Sequence, residues 1–572
     1  MNSNDQRKVL PPFVLWLVPL SFLIIFYFFP LGSIFQLSFA RGESGLSQPF
    51  VEAFTSESVR RVVWFTIWQA TLSTLLTLAI GLPGAFLFAR YEFRGKALLQ
   101  ALSGIPFVMP TLVVAAAFNA LLGPRGWINL ATMELFDLQA PPIKFTNTII
   151  AILVAHVFYN LTIVLRLVGD FWSHLDPRLT HAARTLGANR RQAFQHITLP
   201  LLAPAIATAA LLVFIFDFTS FGVILILGGP RFATLEVEIY YQTISLFNLP
   251  LAAVLSILQL GCTLVLTIIY TRLSARVSRP ITLRARQYTQ KRLISRQTRI
   301  FAAIMIALLL TLLTLPLIAL ATRSVVRLDP GRGQQSLESP GLTFDFYREL
   351  SINRRSSLFY VPPITAIAVS LGYAGATVLL ALTLGMPAAW ALARDADALP
   401  NRILDPILML PLGTSAVTLG LGFIVALNRP PFDLRASPLL IPIAHTLVAF
   451  PFVVRSLTPA LRSVQPRLRQ AAAVLGASPG EVLRFIDLPL VGRALLVAAT
   501  FAFTISLGEF GATALIARPE YPTIPLVIYR FLSQPGAINY GQALALSTIL
   551  MILAAGGMLA IERFRIAEIG EF

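Results

Sequence analysis

The chain has 572 residues, of which 56% are hydrophobic and 13% charged, and a mean hydropathy of +0.74. These values lie outside the range of soluble domains and mark an all-α polytopic protein embedded in a lipid bilayer. A net charge of +18 is spread over short loops between apolar runs, which fits the positive-inside rule and argues against a nucleic-acid partner, while the single cysteine, Cys262, leaves no disulfide framework or thiolate metal site.

At the N-terminus, Arg7 and Lys8 precede an apolar stretch, residues 13–34. It is too long for the hydrophobic region of a signal peptide and no small-residue cleavage pattern follows, so it reads as a retained first span. Stretches able to cross a core of roughly 30 Å, each needing about 20 residues, continue at 62–89, 97–122, 146–167, 202–227 and 250–270. A second set lies at 300–321, 364–393, 403–427, 439–454, 495–516 and 542–561. The expectation is about twelve transmembrane helices, six to a half.

Basic residues fix the orientation. Arg90, Arg94 and Lys96, then Arg178, Arg184, Arg190 and Arg191, fall on alternate turns and are cytoplasmic by the positive-inside rule. From Arg272 to Arg299 there are nine basic residues and no acidic one, which makes 272–299 a basic cytoplasmic linker between domains 1–271 and 300–572. Both termini are then cytoplasmic. The segment 323–363, rich in Gly, Pro and Ser, reads as an irregular external loop.

The most informative stretch occurs twice, within 177–201 and 466–490. In each copy an apolar stripe (Leu179, Ala182, Ala183, Leu186; Leu468, Ala471, Ala472, Leu475) has helical spacing and ends at a glycine, Gly187 or Gly476. Ser478-Pro479-Gly480-Glu481 then carries a capping-box start signal, and Asn189 to Gln192 a looser one. Each copy is a short helix, a sharp bend and a second helix, which runs through Ile-x-Leu-Pro (Ile197 to Pro200, Ile486 to Pro489) into a span. From Pro177 to Tyr240 against Pro466 to Tyr529 the halves align without a gap at roughly a third identity, enough to infer duplication. Phe221-Gly222 pairs with Phe510-Gly511, Pro230 with Pro519, Thr234 with Thr523, and Ile239-Tyr240 with Ile528-Tyr529. Six spans per half give both halves one orientation, hence a pseudo-two-fold axis along the membrane normal with a path between them.

These elbows resemble the EAA loop of ABC-importer permeases: Ala182-Ala183, Gly187, Ile197 and Leu199-Pro200 in one copy, and Ala471-Ala472, Gly476, Ile486 and Leu488-Pro489 in the other, match its pattern. The leading glutamate is absent, replaced by His181 and Gln470. A double-length chain with two such loops is similar to the fused permeases of ferric-iron and thiamine importers, as are the stretches Ser220 to Tyr240 and Ser506 to Tyr529. The resemblance implies two tandem six-helix permease domains of the type I ABC importer fold in a bacterial inner membrane. It further implies two ATPase subunits that hold ATP and Mg and dock on the elbows, and an external solute-binding protein that delivers the solute. Ala182, Ala183, Leu186, Gly187, Ala188, Ala471, Ala472, Leu475, Gly476 and Ala477 are the expected coupling residues. The chain itself is expected to be a transport subunit without enzymatic activity or bound cofactor; it has no Gly-x4-Gly-Lys-Ser/Thr loop, and Gly95-Lys96 lacks both the upstream glycine and the hydroxyl residue.

Charges within spans are scarce. Asp217 in the fifth and Glu509 in the eleventh occupy positions whose repeat partners are Ser506 and Ser220. Either they line the translocation path for a cationic solute, or they bind backbone freed near Gly222, Gly508 or Gly511. His156 and His445 also correspond; with no carboxylate at helical spacing from either, symmetry-related structural hydrogen bonds suit them better than metal ligation. Pro83, Pro106, Pro387 and Pro411 mark expected kinks. The segments 228–248 and 517–540 read either as the surface for the binding protein or as packed re-entrant turns. An ion-coupled secondary carrier with six plus six helices is the runner-up, opposed by the doubled elbow. A membrane enzyme lacks any catalytic set.

Overall fold

The computed structural model describes residues 12–39, 48–277, 290–327, 341–353, 361–394, 399–428, 433–435 and 437–566. Arg7, Lys8 and positions 278–289 of the basic linker lie outside these residues. Among the described residues eleven helices are long and apolar enough to cross a bilayer, and Leu399–Gly413 with Ala416–Ala426, bent by 95°, makes a twelfth if counted as one span.

Most spans lie where hydropathy puts them, but four of the expected helices are broken. The stretch 97–122 divides into Lys96–Val108 and Thr111–Leu122. Pro110 disfavours helical backbone at the residue before it, and Met109 is extended (φ −68°, ψ 134°). Its counterpart turns at Leu410–Gly413, with Pro411 opening a 3₁₀ turn. The stretch 202–227 ends its long helix at Phe218 and restarts as Gly222–Leu227, and 495–516 likewise divides after Gly508 into Gly511–Ile516. Apolar composition runs through each break while the helix does not, so Asp217 lies in the last turn of its helix and Glu509 just beyond the end of its own. Both therefore sit at a helix end, not within an unbroken helix. The tenth helix, Leu440–Ser463, is longer than its apolar core of 439–454 and encloses Pro451 and Pro459. Pro83 and Pro387 fall inside the long helices Glu57–Arg90 and Thr365–Arg394.

The halves exchange their leading helices. The first span packs through Pro12–Leu23 on Thr365–Arg394 and through Phe29–Phe39 on Ala416–Ala426 of the second half, and the Tyr27 and Thr414 hydroxyls lie 2.7 Å apart. Reciprocally, Arg296–Arg323 packs on Lys96–Val108 and Thr111–Leu122 of the first half, and the buried Arg323 donates from Nη2 to the Arg125 carbonyl at 2.8 Å. Within 228–248 and 517–540 a helix folds inward, while Leu246, Phe247 and Tyr521 stay exposed. Helix Leu235–Ile244 buries Leu235, Val237, Ile239 and Tyr240, and Ile524–Leu532 buries Ile524, Val527, Ile528 and Phe531. Their first amides are held symmetrically: Leu235 N donates to Thr66 Oγ1 (3.0 Å) and Ile524 N to Ser370 Oγ (2.9 Å). Within 323–363, Val326 and Leu342 form a bridge and Asp345–Glu349 a short helix.

Candidate functional site: twin elbows and a central cavity

The two elbows share their geometry. Helices Pro177–Thr185 and Pro466–Val474 end at Gly187 (φ +93°) and Gly476 (φ +87°), a left-handed conformation that only glycine adopts at little cost. Ala188 N donates to Ala183 O and Ala477 N to Ala472 O, both at 3.0 Å, closing the bend. Asn189 and Gln192 form a full capping box, each side chain bonding the other's backbone amide at 2.8–2.9 Å. Ser478 and Glu481 do the same at 2.7 and 3.4 Å. Both elbows then widen into a π turn, Phe194–Thr198 and Leu483–Asp487. Pro200 and Pro489 supply no amide hydrogen, and the preceding amides reach back five residues instead, Leu199 N to Phe194 O and Leu488 N to Leu483 O.

Neither short elbow helix has a buried residue. Leu186 is 89% exposed and Leu475 88%; Ala182 and Ala471 are exposed, and Ala183, Ala188, Ala472 and Ala477 half-buried. The apolar stripe therefore faces away from the chain that carries it. One asymmetry is clear: Arg469 Nε donates to the buried Asp487 at 2.7 Å, tying the second elbow helix to the foot of the span. The corresponding residues of the first elbow are Thr180 and Thr198.

Between the halves lies a cavity of 460 Å³ whose wall includes His156, Asp217, Ser220, Glu236, Ser415 and Glu509. Phe221 and Phe510, equivalent by the repeat, stack with centroids 5.4 Å apart at an interplanar angle of 22°; Tyr240 and Tyr529 flank them, each 5.4 Å from its own phenylalanine. Each histidine is the hub of a polar cluster. His156 lies 3.0 Å from Ser73 Oγ and 2.8 Å from Ser220 Oγ, with Asp217 Oδ1 3.3 Å from Nδ1. His445 lies 2.8 Å from Ser506 Oγ, 2.9 Å from Thr513 Oγ1 and 3.1 Å from Glu509 Oε2. Both ring nitrogens of each histidine lie within hydrogen-bond distance of a hydroxyl. The carboxylates come from a neighbouring helix or its end, which spacing along the histidine's own helix does not reveal.

The family model described as "Binding-protein-dependent transport system inner membrane component" matches residues 81–279. The chain is 30% identical over 508 residues to the thiamine transport system permease protein ThiP of Brucella abortus, covering 88% of this chain and 87% of that one. The chain belongs to this family of binding-protein-dependent ABC permeases. The permease is also 25% identical to the probable ABC transporter permease protein y4fN of Sinorhizobium fredii, over 98% of this chain and 96% of the relative. A crystal structure of a bacterial ABC transporter involved in the import of the acidic polysaccharide alginate aligns with 47% of the permease and 96% of its own chain, at 19% identity and a TM-score of 0.40.

Family membership makes the permease a multi-pass transmembrane subunit of an ABC importer and removes the ion-coupled carrier as a reading. The cavity wall also holds Tyr159, Asn160, Ser415 and Glu236, which no motif in the sequence singles out. Glu236, in the inward-folded helix Leu235–Ile244, is buried and accepts hydrogen bonds from Gln259 in its own half and from Ser415 in the other. Two acids in Leu235-Glu236-Val237-Glu238-Ile239 look like a solvated loop until the segment folds back. The available signal was its repeat position, where the second half has Pro525.

Proposed function

We propose that the permease imports thiamine, delivered on the external face by a solute-binding protein and driven by two ATPase subunits that dock on the cytoplasmic elbows 177–201 and 466–490. ATP and Mg belong to those partners, and this chain binds neither. Both termini face the cytoplasm of a bacterial inner membrane, and the two permease domains are 1–271 and 300–572, joined by 272–299. The solute passes between the halves, with Asp217 and Glu509 on the wall of its route.

The observation that carries the docking role is the pair of elbow helices that bury nothing yet hold a leucine almost fully exposed at each bend. Ala182, Ala183, Ala188, Ala471, Ala472 and Ala477 let a partner's backbone approach closely, Leu186 and Leu475 supply the apolar anchors, and Gly187 and Gly476 fix the angle. The rigid continuation through the capped second helix and the π turn into the spans Leu199–Phe218 and Leu488–Gly508 transmits the partner's motion. Thiamine is favoured over ferric iron by the name of the Brucella relative, which is matched over most of both chains.

The test is uptake of radiolabelled thiamine into proteoliposomes holding the permease and its ATPase, with ATP inside and the binding protein outside. Leu186→Glu and Leu475→Glu, like a charge placed at Ala183 or Ala472, are expected to lower uptake at least about tenfold while membrane insertion is unchanged. Full transport in both leucine variants overturns the docking role.

A further inference from the structure

The carboxylates around the central cavity differ in what they have left to offer. Glu509 is committed to backbone and hydroxyl: its Oε1 accepts from Ala512 N at 2.8 Å, and its Oε2 accepts from Thr513 N at 3.2 Å and from Thr513 Oγ1 at 2.8 Å, with His445 beside it. Glu236 has one oxygen on Gln259 and the other on Ser415. Asp217 is 1% exposed, and its Oδ1 accepts from Asn160 Nδ2 at 2.7 Å, yet its Oδ2 has no partner among the described residues. The hydroxyl of Tyr159, on the same cavity wall, is buried and also without one. Leaving a buried carboxylate oxygen and a buried hydroxyl unmatched is costly, and both costs vanish when a ligand supplies the missing contacts.

We propose that this cavity is a binding site of the permease itself for an organic monocation bearing a flat ring, with Asp217 Oδ2 as the counter-charge. The Tyr159 hydroxyl makes the second polar contact, and Phe221 and Phe510 form the apolar wall. A cavity of 460 Å³ falls in the range of about 300–1,000 Å³ that holds small molecules. A hard metal ion needs several oxygen ligands at once, and a single unmatched carboxylate oxygen does not provide them. An organic cation needs one counter-ion and apolar contact for its ring, and aromatic side chains add a favourable face or edge. Thiamine, the solute chosen above, has this chemistry. The choice of ligand rests on that reading, whereas the site rests on the cavity.

The experiment measures equilibrium binding to the permease–ATPase complex in lipid nanodiscs without the binding protein, using radiolabelled thiamine, N-methylpyridinium as a simple ring cation and thiochrome as a neutral analogue. The expected result is saturable binding of the cations and not of thiochrome, weakened at least tenfold by Asp217→Asn. Tyr159→Phe is expected to weaken binding several-fold without lowering the thermal midpoint, because it removes an unmatched group. Unchanged affinity in Asp217→Asn, or no cation bound by the unaltered permease, overturns the site. Should Asp217→Asn fail to fold, Tyr159→Phe decides, and unchanged affinity there overturns the proposal. Binding of N-methylpyridinium but not thiamine, lost in Asp217→Asn, supports the site and overturns the thiamine reading.

Discussion

His156 and His445 occupy equivalent places in the two halves, and each meets one carboxylate and one serine from the same pair of repeat positions. In the first half the carboxylate is Asp217 and the serine Ser220; in the second the serine is Ser506 and the carboxylate Glu509. The position decides what the acid does. Glu509 stands past the end of Leu488–Gly508, ahead of a short helix whose first amides are free, and it caps them. Asp217 stands inside the last turn of Leu199–Phe218, where the neighbouring amides are already used, and it keeps an oxygen to spare. Duplication has thus kept a polar hub and moved its charge, turning one copy to structure and leaving the other available for binding.

The largest effect should come from breaking the structural copy. Glu509→Ser removes the acceptor for two buried amides and the partner of His445, and is expected to cost about 3–5 kcal/mol, read as a lower thermal unfolding midpoint of the purified permease. Asp217→Ser should cost clearly less in the same assay, and equal losses would abolish the contrast. Next comes the elbow asymmetry: Arg469→Ala strands the buried Asp487 and should cost about 2 kcal/mol, discounted because the arginine is partly exposed. Thr180→Ala, at the matching place, should stay within about 0.5 kcal/mol. Thr66→Val and Ser370→Ala each release one buried amide, for about 1–2 kcal/mol. Hydrogen exchange should rise in 235–244 for the first and in 524–532 for the second. Most alike are Gly187→Ala and Gly476→Ala, about 1 kcal/mol each, and a marked difference between them would show that the bends are not equivalent.

The elbows were legible because their signals are local: a helical stripe, a glycine where the backbone must turn left-handed, and a capping box. Even there the sequence understated the first copy, since Asn189 and Gln192 cap as fully as Ser478 and Glu481. The spans were legible in number and order but not at their breaks, because Thr219-Ser220 and Glu509-Phe510 interrupt a helix within stretches that are apolar as a whole. The cavity was the least visible part. His156 and Asp217 are paired by the packing of two helices, and Glu236 enters only when 228–248 folds inward. No periodicity along one segment reports such contacts.

The swap of leading helices has a consequence for how the protein is built. Each half keeps the other's first helix within its own wall, so cleavage inside 278–289 should leave two fragments that stay interlocked and copurify. Because the fragments are unlike, one bearing the aspartate and one the glutamate, tethering them in a single polypeptide guarantees a one-to-one stoichiometry and prevents assembly of like with like.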